Sequence, residues 1–272
     1  MAKDLLRLQT WLVRLMLPFT VTLYFLIIRA AGYRVRDIER IRRECLEQFS
    51  RHRGPWVVCA NHLTLIDSMI LVYGMLSFTS HFTNYRNVPW NLPEQDNFHK
   101  KNFLIAVLCY IAKCIPINRG GDRDEMKKTL DKCNYVLSKG QSLMIFPEGG
   151  RSRTGRVDTE GFSYGVGRFV KDHPDCKVMC LYLRGDHQVT YGNFPQIGEH
   201  FSMMMEVLEP GPSDYSGMRA QRFYAEQIIQ KLARMEENYF AIHRERRRQL
   251  ERFASPCKER EYSVSQPGLY PK

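Results

Sequence analysis

The chain has 272 residues and a formal net charge of +11, from 40 Lys and Arg against 29 Asp and Glu. Hydrophobic residues at 44% and charged residues at 25% exclude a disordered chain, and no fixed-period self-similarity marks a repeat architecture. Eight scattered cysteines with no C-x-x-C pair exclude a zinc or disulfide framework and read as reduced, cytosol-facing thiols.

In chain order, the first feature is the charge-free run Leu15–Ile28, LMLPFTVTLYFLII. It is shorter than the roughly 20 residues a spanning helix needs. Arg14, Arg29, Arg34 and Arg36 flank it, and cations in that position favour anionic headgroups. The run therefore reads as a membrane anchor or interfacial helix, against two competitors: a signal peptide, with Ala30-Ala31 as its small-residue cleavage site, and a buried core helix. Residues Val35–His52 follow with Ile38, Ile41, Cys45 and Phe49 at three- and four-residue steps, the pattern of an amphipathic helix. Gly54-Pro55 ends it.

Four short runs read as strands: Trp56–Ala60 (WVVCA), Ser142–Phe146 (SLMIF), Lys177–Leu183 (KVMCLYL) and Phe201–Leu208 (FSMMMEVL). Helical patterns lie between and after them. Phe103–Ala112 is strongly apolar, and Arg123–Lys139 puts Met126, Leu130, Cys133 and Leu137 on one face before the stop at Gly140. Ala220–Phe253 reads as one long helix or two, ending in the basic run HRERRRQLERF. The alternation predicts an α/β fold, with a single mostly central sheet flanked by helices behind an N-terminal apolar membrane-associated segment. The expected organisation is a membrane-associated helical region over 1–53, a catalytic domain over 54–253 and a flexible tail over 254–272.

Two loops directly after strands carry the chemistry. In the first, Asn61-His62-Leu63-Thr64-Leu65-Ile66-Asp67, a neutral imidazole at a strand end can take a proton from a hydroxyl. A carboxylate five residues on can fix its tautomer and stabilise the imidazolium that forms. No metal is required, and a zinc site would need more ligands nearby. Alone, this spacing is weak; a surface histidine and a helix-capping Asp67 would look the same.

The second loop is Phe146-Pro147-Glu148-Gly149-Gly150-Arg151-Ser152-Arg153. Its glycines let backbone approach a ligand, and its arginines and Ser152 are donors for phosphate or carboxylate. Glu148 can orient the arginines or accept from a substrate hydroxyl. A turn with solvated arginines is the competing reading. A weaker third signal is Ile115-Pro116-Ile117-Asn118-Arg119, which puts Arg119 at the end of a short extended segment.

Taken in order, the three segments resemble the glycerolipid acyltransferase family, the group containing the 1-acyl-glycerol-3-phosphate acyltransferases. Asn61–Asp67 is similar to that family's first block, Ile115–Arg119 to its second and Phe146–Ser152 to its third, with Val178–Leu183 where the β-strand of the fourth block belongs. The resemblance spans about residues 54–210. Three positions depart from the usual pattern: Gly150 replaces a threonine, Asn118 an acidic residue and Cys180 a proline.

The resemblance implies that His62 is the general base, that Asp67 orients and charge-balances it, and that Arg119, Glu148, Gly149 and Arg151 hold the acceptor's polar head. It implies an acyl-CoA or acyl-carrier protein co-substrate, no cofactor, and direct attack without an acyl-enzyme. A lysophospholipid acceptor, most simply 1-acyl-glycerol-3-phosphate, would place the enzyme on an anionic membrane surface, at the cytoplasmic face of the cell (inner) membrane. The departures keep open a non-phosphate lysolipid or hydroxylated acceptor. A non-catalytic membrane-surface or nucleic-acid-binding protein is the alternative of another class. The basic residues lie at the two chain ends with no aromatic interleaving, which argues against nucleic acid.

Overall fold

The computed structural model describes residues 2–95 and 103–254. The chain separates into two compact units, Met1–Glu236 and Glu237–Lys272. The second contains the end of the last helix, and residues 255–272, including the expected tail and Cys257, lie outside the described residues. The first contains the sheet and the loops that carry the chemistry.

That unit opens with helix α1 (Ala2–Ala30), strand β1 (Arg34–Val35) and helix α2 (Ile38–Arg51). Strand β2 (Trp56–Ala60) leads into α3 (Asp67–Met75), a short α4 (Ser80–Thr83) and β3 (Trp90–Asn91). Helices α5 (Phe103–Ile111) and α6 (Arg123–Ser138) precede β4 (Ser142–Ile145), and α7 (Gly165–Asp172) precedes β5 (Lys177–Gly185). Strand β6 (His200–Leu208) and the part of helix α8 (Gly217–Ala254) up to Glu236 complete it.

The six strands form one mixed sheet in the order β1-β6-β5-β2-β4-β3. Strand β2 runs parallel to β4 on one side and to β5 on the other, in the registers Val58↔Met144 and Val58↔Met179. Only the β5–β6 pair is antiparallel. All five residues of WVVCA are buried, as a central strand covered on both faces requires. Its alternation divides them: Trp56, Val58 and Ala60 join one core cluster with Met179, Leu181 and Leu183 from β5.

Helix α2 has the face its periodicity predicts, with Ile41, Cys45 and Phe49 buried. Phe49 meets Trp56 edge-on, with ring centroids 5.6 Å apart. Burying such a side chain contributes about 1.5–3 kcal/mol, and this pair fixes α2 against the start of the central strand.

The four strands read from the sequence are present within two residues of their expected ends. The two-residue edge strands β1 and β3 were not legible, since two residues show no alternation. Helix α1 is longer than its charge-free run: it reaches back through Arg14 and Arg7, and Asp4–Ala30 is long and apolar enough to cross a membrane. It buries one stripe (Leu6, Val13, Leu17, Val21, Ile28) and exposes another (Leu5, Leu8, Leu15, Phe19, Leu26). The buried stripe is held to the protein along its length. Gln9 donates to the carbonyls of Tyr110 and Cys114, both at 3.0 Å, and Tyr24 donates to that of Met69 at 2.6 Å. Helix α5, strongly apolar, has no buried residue at all; Phe103 and Leu104 face outward.

Candidate active site

Strands β2, β4 and β5 are mutually parallel, so the loops leaving their C-terminal ends share one edge of the sheet, where α/β proteins place their ligands. Both chemistry-bearing loops emerge there. The end of β2 is clipped to β5 by Asn61, whose amide donates to the Leu183 carbonyl at 2.9 Å and accepts from the Leu183 N–H at 2.8 Å. That pair of hydrogen bonds sets the take-off of the next residue, His62.

His62 Nδ1 lies 3.1 Å from Asp67 Oδ2. The same oxygen accepts the backbone N–H groups of Leu63 at 2.6 Å and Thr64 at 2.8 Å, and Oδ1 accepts the Thr64 hydroxyl. Asp67 thus curls its own preceding loop into a turn, and as the first residue of α3 its charge sits at the positive end of that helix. Its side chain is 3% exposed, while that of His62 is 18% exposed. The imidazole lies flat on the Phe146 ring, with centroids 4.1 Å apart and planes at 18°. Phe146 fixes the ring plane and Asp67 fixes the ring rotation. With Nδ1–H committed to Asp67, the Nε2 lone pair is the basic atom of the pair.

Glu148 sits differently from the acceptor-facing position the resemblance implies for it. It is buried, and it accepts the His62 N–H at 2.9 Å on one oxygen and the Asp158 N–H at 3.4 Å on the other. Burial raises its pKa to about 7. Together with the Ser152 N–H, which donates to the His62 carbonyl at 2.8 Å, it ties the loop after β4 to the peptide groups of the histidine itself.

Gly149 turns under the site with φ +72°, which a side chain adopts only under strain. A methyl group built there would stand 3.7 Å from Nη1 of Arg119, so the second and third segments meet at this glycine. Arg119 pairs with Glu94, Nε to Oε2 at 3.3 Å, and its side chain remains 45% exposed. Arg151 turns toward the segment between β5 and β6, donating to the Gly192 carbonyl at 2.6 Å and to Asn193 Oδ1 at 2.9 Å.

Of the six residues singled out in the sequence, His62 and Asp67 are in contact, Glu148 touches the histidine backbone, and Gly149 and Arg119 adjoin each other. Arg151 is directed to a different wall. That wall was missed: Leu65 donates to the Asn193 carbonyl at 3.1 Å, and Gly192 donates to the Leu63 carbonyl at 2.9 Å. The backbone of Gly192 and Asn193 therefore forms part of the surround of His62. Neither Glu94 nor this segment carries a sequence signal, whereas Asn61 and Phe146 stand inside the motifs and lacked only an assigned role. The thiols offer no competing nucleophile at the strand ends. Cys59 and Cys180 are buried register partners, and burial pushes Cys59 well above the usual thiol range and Cys180 up to about 12.

A carboxylate-held histidine at the C-terminal edge of a mixed α/β sheet, with two arginines within the surrounding loops, is equipment that can serve group transfer. The chain belongs to the acyltransferase family, whose model, described as Acyltransferase, matches residues 33–184. The match takes in β1, α2, both chemistry-bearing loops and β5. No curated protein matches the chain.

Proposed function

We propose that this acyltransferase moves a fatty acyl group from acyl-CoA or acyl-carrier protein to the free hydroxyl of a lysophospholipid, most simply 1-acyl-glycerol-3-phosphate. His62 Nε2 takes the proton of the acceptor hydroxyl as its oxygen attacks the thioester carbonyl. The tetrahedral intermediate then expels the thiolate, which recovers that proton from the imidazolium. Asp67 keeps Nδ1 protonated throughout and balances the transient charge. Arg119 supplies the exposed cation for the acceptor's phosphate, and Gly149, with no side chain, leaves that guanidinium room to turn. The His62–Asp67 contact, set on Phe146 and braced by Glu148, carries this reading.

Membrane association at the cytoplasmic face belongs to the same proposal. A lysolipid and its diacyl product both reside in the bilayer, and α1 turns a full apolar stripe outward while Arg29 and Arg34 stand exposed beside its end. The cover of protein on the opposite stripe of α1 supports a helix lying along the interface.

The test is thiol release from acyl-CoA by purified protein offered lysophosphatidate, with mass spectrometry of the lipid product. His62→Ala is expected to lose roughly 10²–10⁴ in turnover while remaining folded, the usual contribution of a general base. Near-normal turnover in that variant would sink the mechanism. Activity confined to non-phosphate acceptors would discard the substrate and keep the chemistry.

A further inference from the structure

The segment between β5 and β6, residues 186–199, is unusual for a loop: it exposes Val189, Tyr191, Phe194 and Ile197 within nine positions. Phe194 is 67% exposed and Ile197 87%, so neither is spent on the protein's own packing. A cluster of large apolar side chains on a soluble surface marks a place where something apolar is met.

This segment is pinned at its middle and near its C-terminal end, and to informative places. On one side Gly192 and Asn193 bond to the backbone of Leu63 and Leu65 within the His62–Asp67 loop, and Arg151 reinforces the joint. On the other, Gly198 donates to the Ala31 carbonyl at 2.8 Å, directly after α1, and Tyr33 donates to the Pro195 carbonyl at 3.2 Å. Gly32 and Gly198, both with positive φ, approach so closely that a methyl group on Gly32 would stand 3.2 Å from the Gly198 Cα. The segment is therefore a bridge from the end of α1 to the catalytic histidine. One turn back along α1, Leu26 and Ile27 are exposed, which carries its apolar stripe up to the joint. Arg29 and Arg34 are exposed on either side of that joint, while the loop's own Asp186 is held by Arg36. The charge left facing out is cationic.

We propose that residues 189–197 are a lipid-contacting wedge: Phe194 and Ile197 enter the acyl boundary of an anionic bilayer beside α1, and the segment delivers a bilayer-borne acceptor to His62. The inference deepens the acyl-transfer reading and rests on it for the identity of the molecule delivered. An apolar pair next to exposed arginines matches the two-part demand of such a surface, buried area plus attraction to headgroups. A partner protein docking on the loop, an acyl-carrier protein for example, would be met by the cations alone and would gain nothing from the continuity with α1.

The experiment uses the full chain and vesicles of phosphatidylcholine with one-fifth phosphatidylglycerol. Phe194→Ser with Ile197→Ser is expected to weaken vesicle co-sedimentation roughly 100-fold, about tenfold for each apolar side chain removed. Turnover on lysophosphatidate carried in vesicles should fall by the same order. Turnover on a short-chain, water-soluble lysophosphatidate should stay within about twofold, since neither side chain touches the site. In a Trp11→Phe background, which leaves only the buried Trp56 and Trp90 as native tryptophans, Phe194→Trp supplies a reporter that does not depend on catalysis, and its emission should shift to the blue when the vesicles are added. Unchanged sedimentation in the double variant, or an unshifted tryptophan, overturns the proposal. So does an equal loss on soluble and vesicle-borne acceptor, or a loss seen only with acyl-carrier protein as donor. If no lysolipid is acylated at all, the acyl-transfer reading fails while the sedimentation and fluorescence results still decide the wedge.

Discussion

Replacing Asp67 by asparagine separates its two duties. Three N–H groups converge on Oδ2: Nδ1–H of His62 and the amides of Leu63 and Thr64. An asparagine will turn its carbonyl oxygen to that position, because the alternative sets its NH₂ against three donors. Its NH₂ then faces the Thr64 hydroxyl, which can rotate to accept. The loop and the histidine tautomer are thus retained, and the negative charge alone is lost. A hydrogen bond to a charged partner contributes about 1.5–3 kcal/mol, and at about 1.4 kcal/mol per factor of ten this is a roughly 10- to 100-fold loss in kcat. Because the carboxylate acts on a charge that forms only in the transition state, the acceptor KM should hardly move. Asp67→Ala differs in kind, since two buried amides lose their acceptor at about 1–3 kcal/mol each, and that variant should melt several degrees lower. The assay is initial-rate thiol release across acceptor concentrations, paired with thermal melts. An asparagine variant with full kcat, or with its loss entirely in KM, would refute the assignment of Asp67 as the partner of an imidazolium.

Other consequences follow from the same geometry. The carboxyl of Glu148 is raised to about 7 by burial against an ordinary 4.5, so the folded protein holds a proton that the unfolded chain releases in that interval. Its contribution to stability is therefore present below about pH 4.5 and lost as the pH rises through 7. Glu148→Gln cannot ionise, so wild type should lose melting temperature relative to it between about pH 4.5 and 7; parallel curves for the two across that interval would dispose of the argument. Arg119→Ala removes the exposed cation beside Gly149 and should raise the acceptor KM roughly tenfold with kcat little changed, in keeping with the value of one charge-assisted bond. A kcat defect at unchanged KM would instead place Arg119 at the reacting atoms.

Much of the fold was legible because its signals are local. Four strands carry apolar runs bounded by turns, α2 carries its face in Ile41, Cys45 and Phe49, and α6 ends at Gly140, where φ is +66°. The His62-x₄-Asp67 contact was legible for the same reason, since five residues span one turn and the first residue of a helix. Residues far apart in the chain were a different matter. That Glu148 accepts from the His62 backbone, that Phe146 lies under the imidazole, and that Arg151 faces Gly192 depend on β2, β4 and β5 lying side by side in register. No periodicity encodes such a neighbourhood, because it arises from how strands pair rather than from how one segment coils. Sequence alone also showed that residues 15–28 are apolar, but only packing divides α1 into a stripe that meets protein and a stripe that does not. Local chemistry determined which groups can react; the sheet's parallel register decided which of them stand together, since it alone brings the ends of three separate strands to one edge.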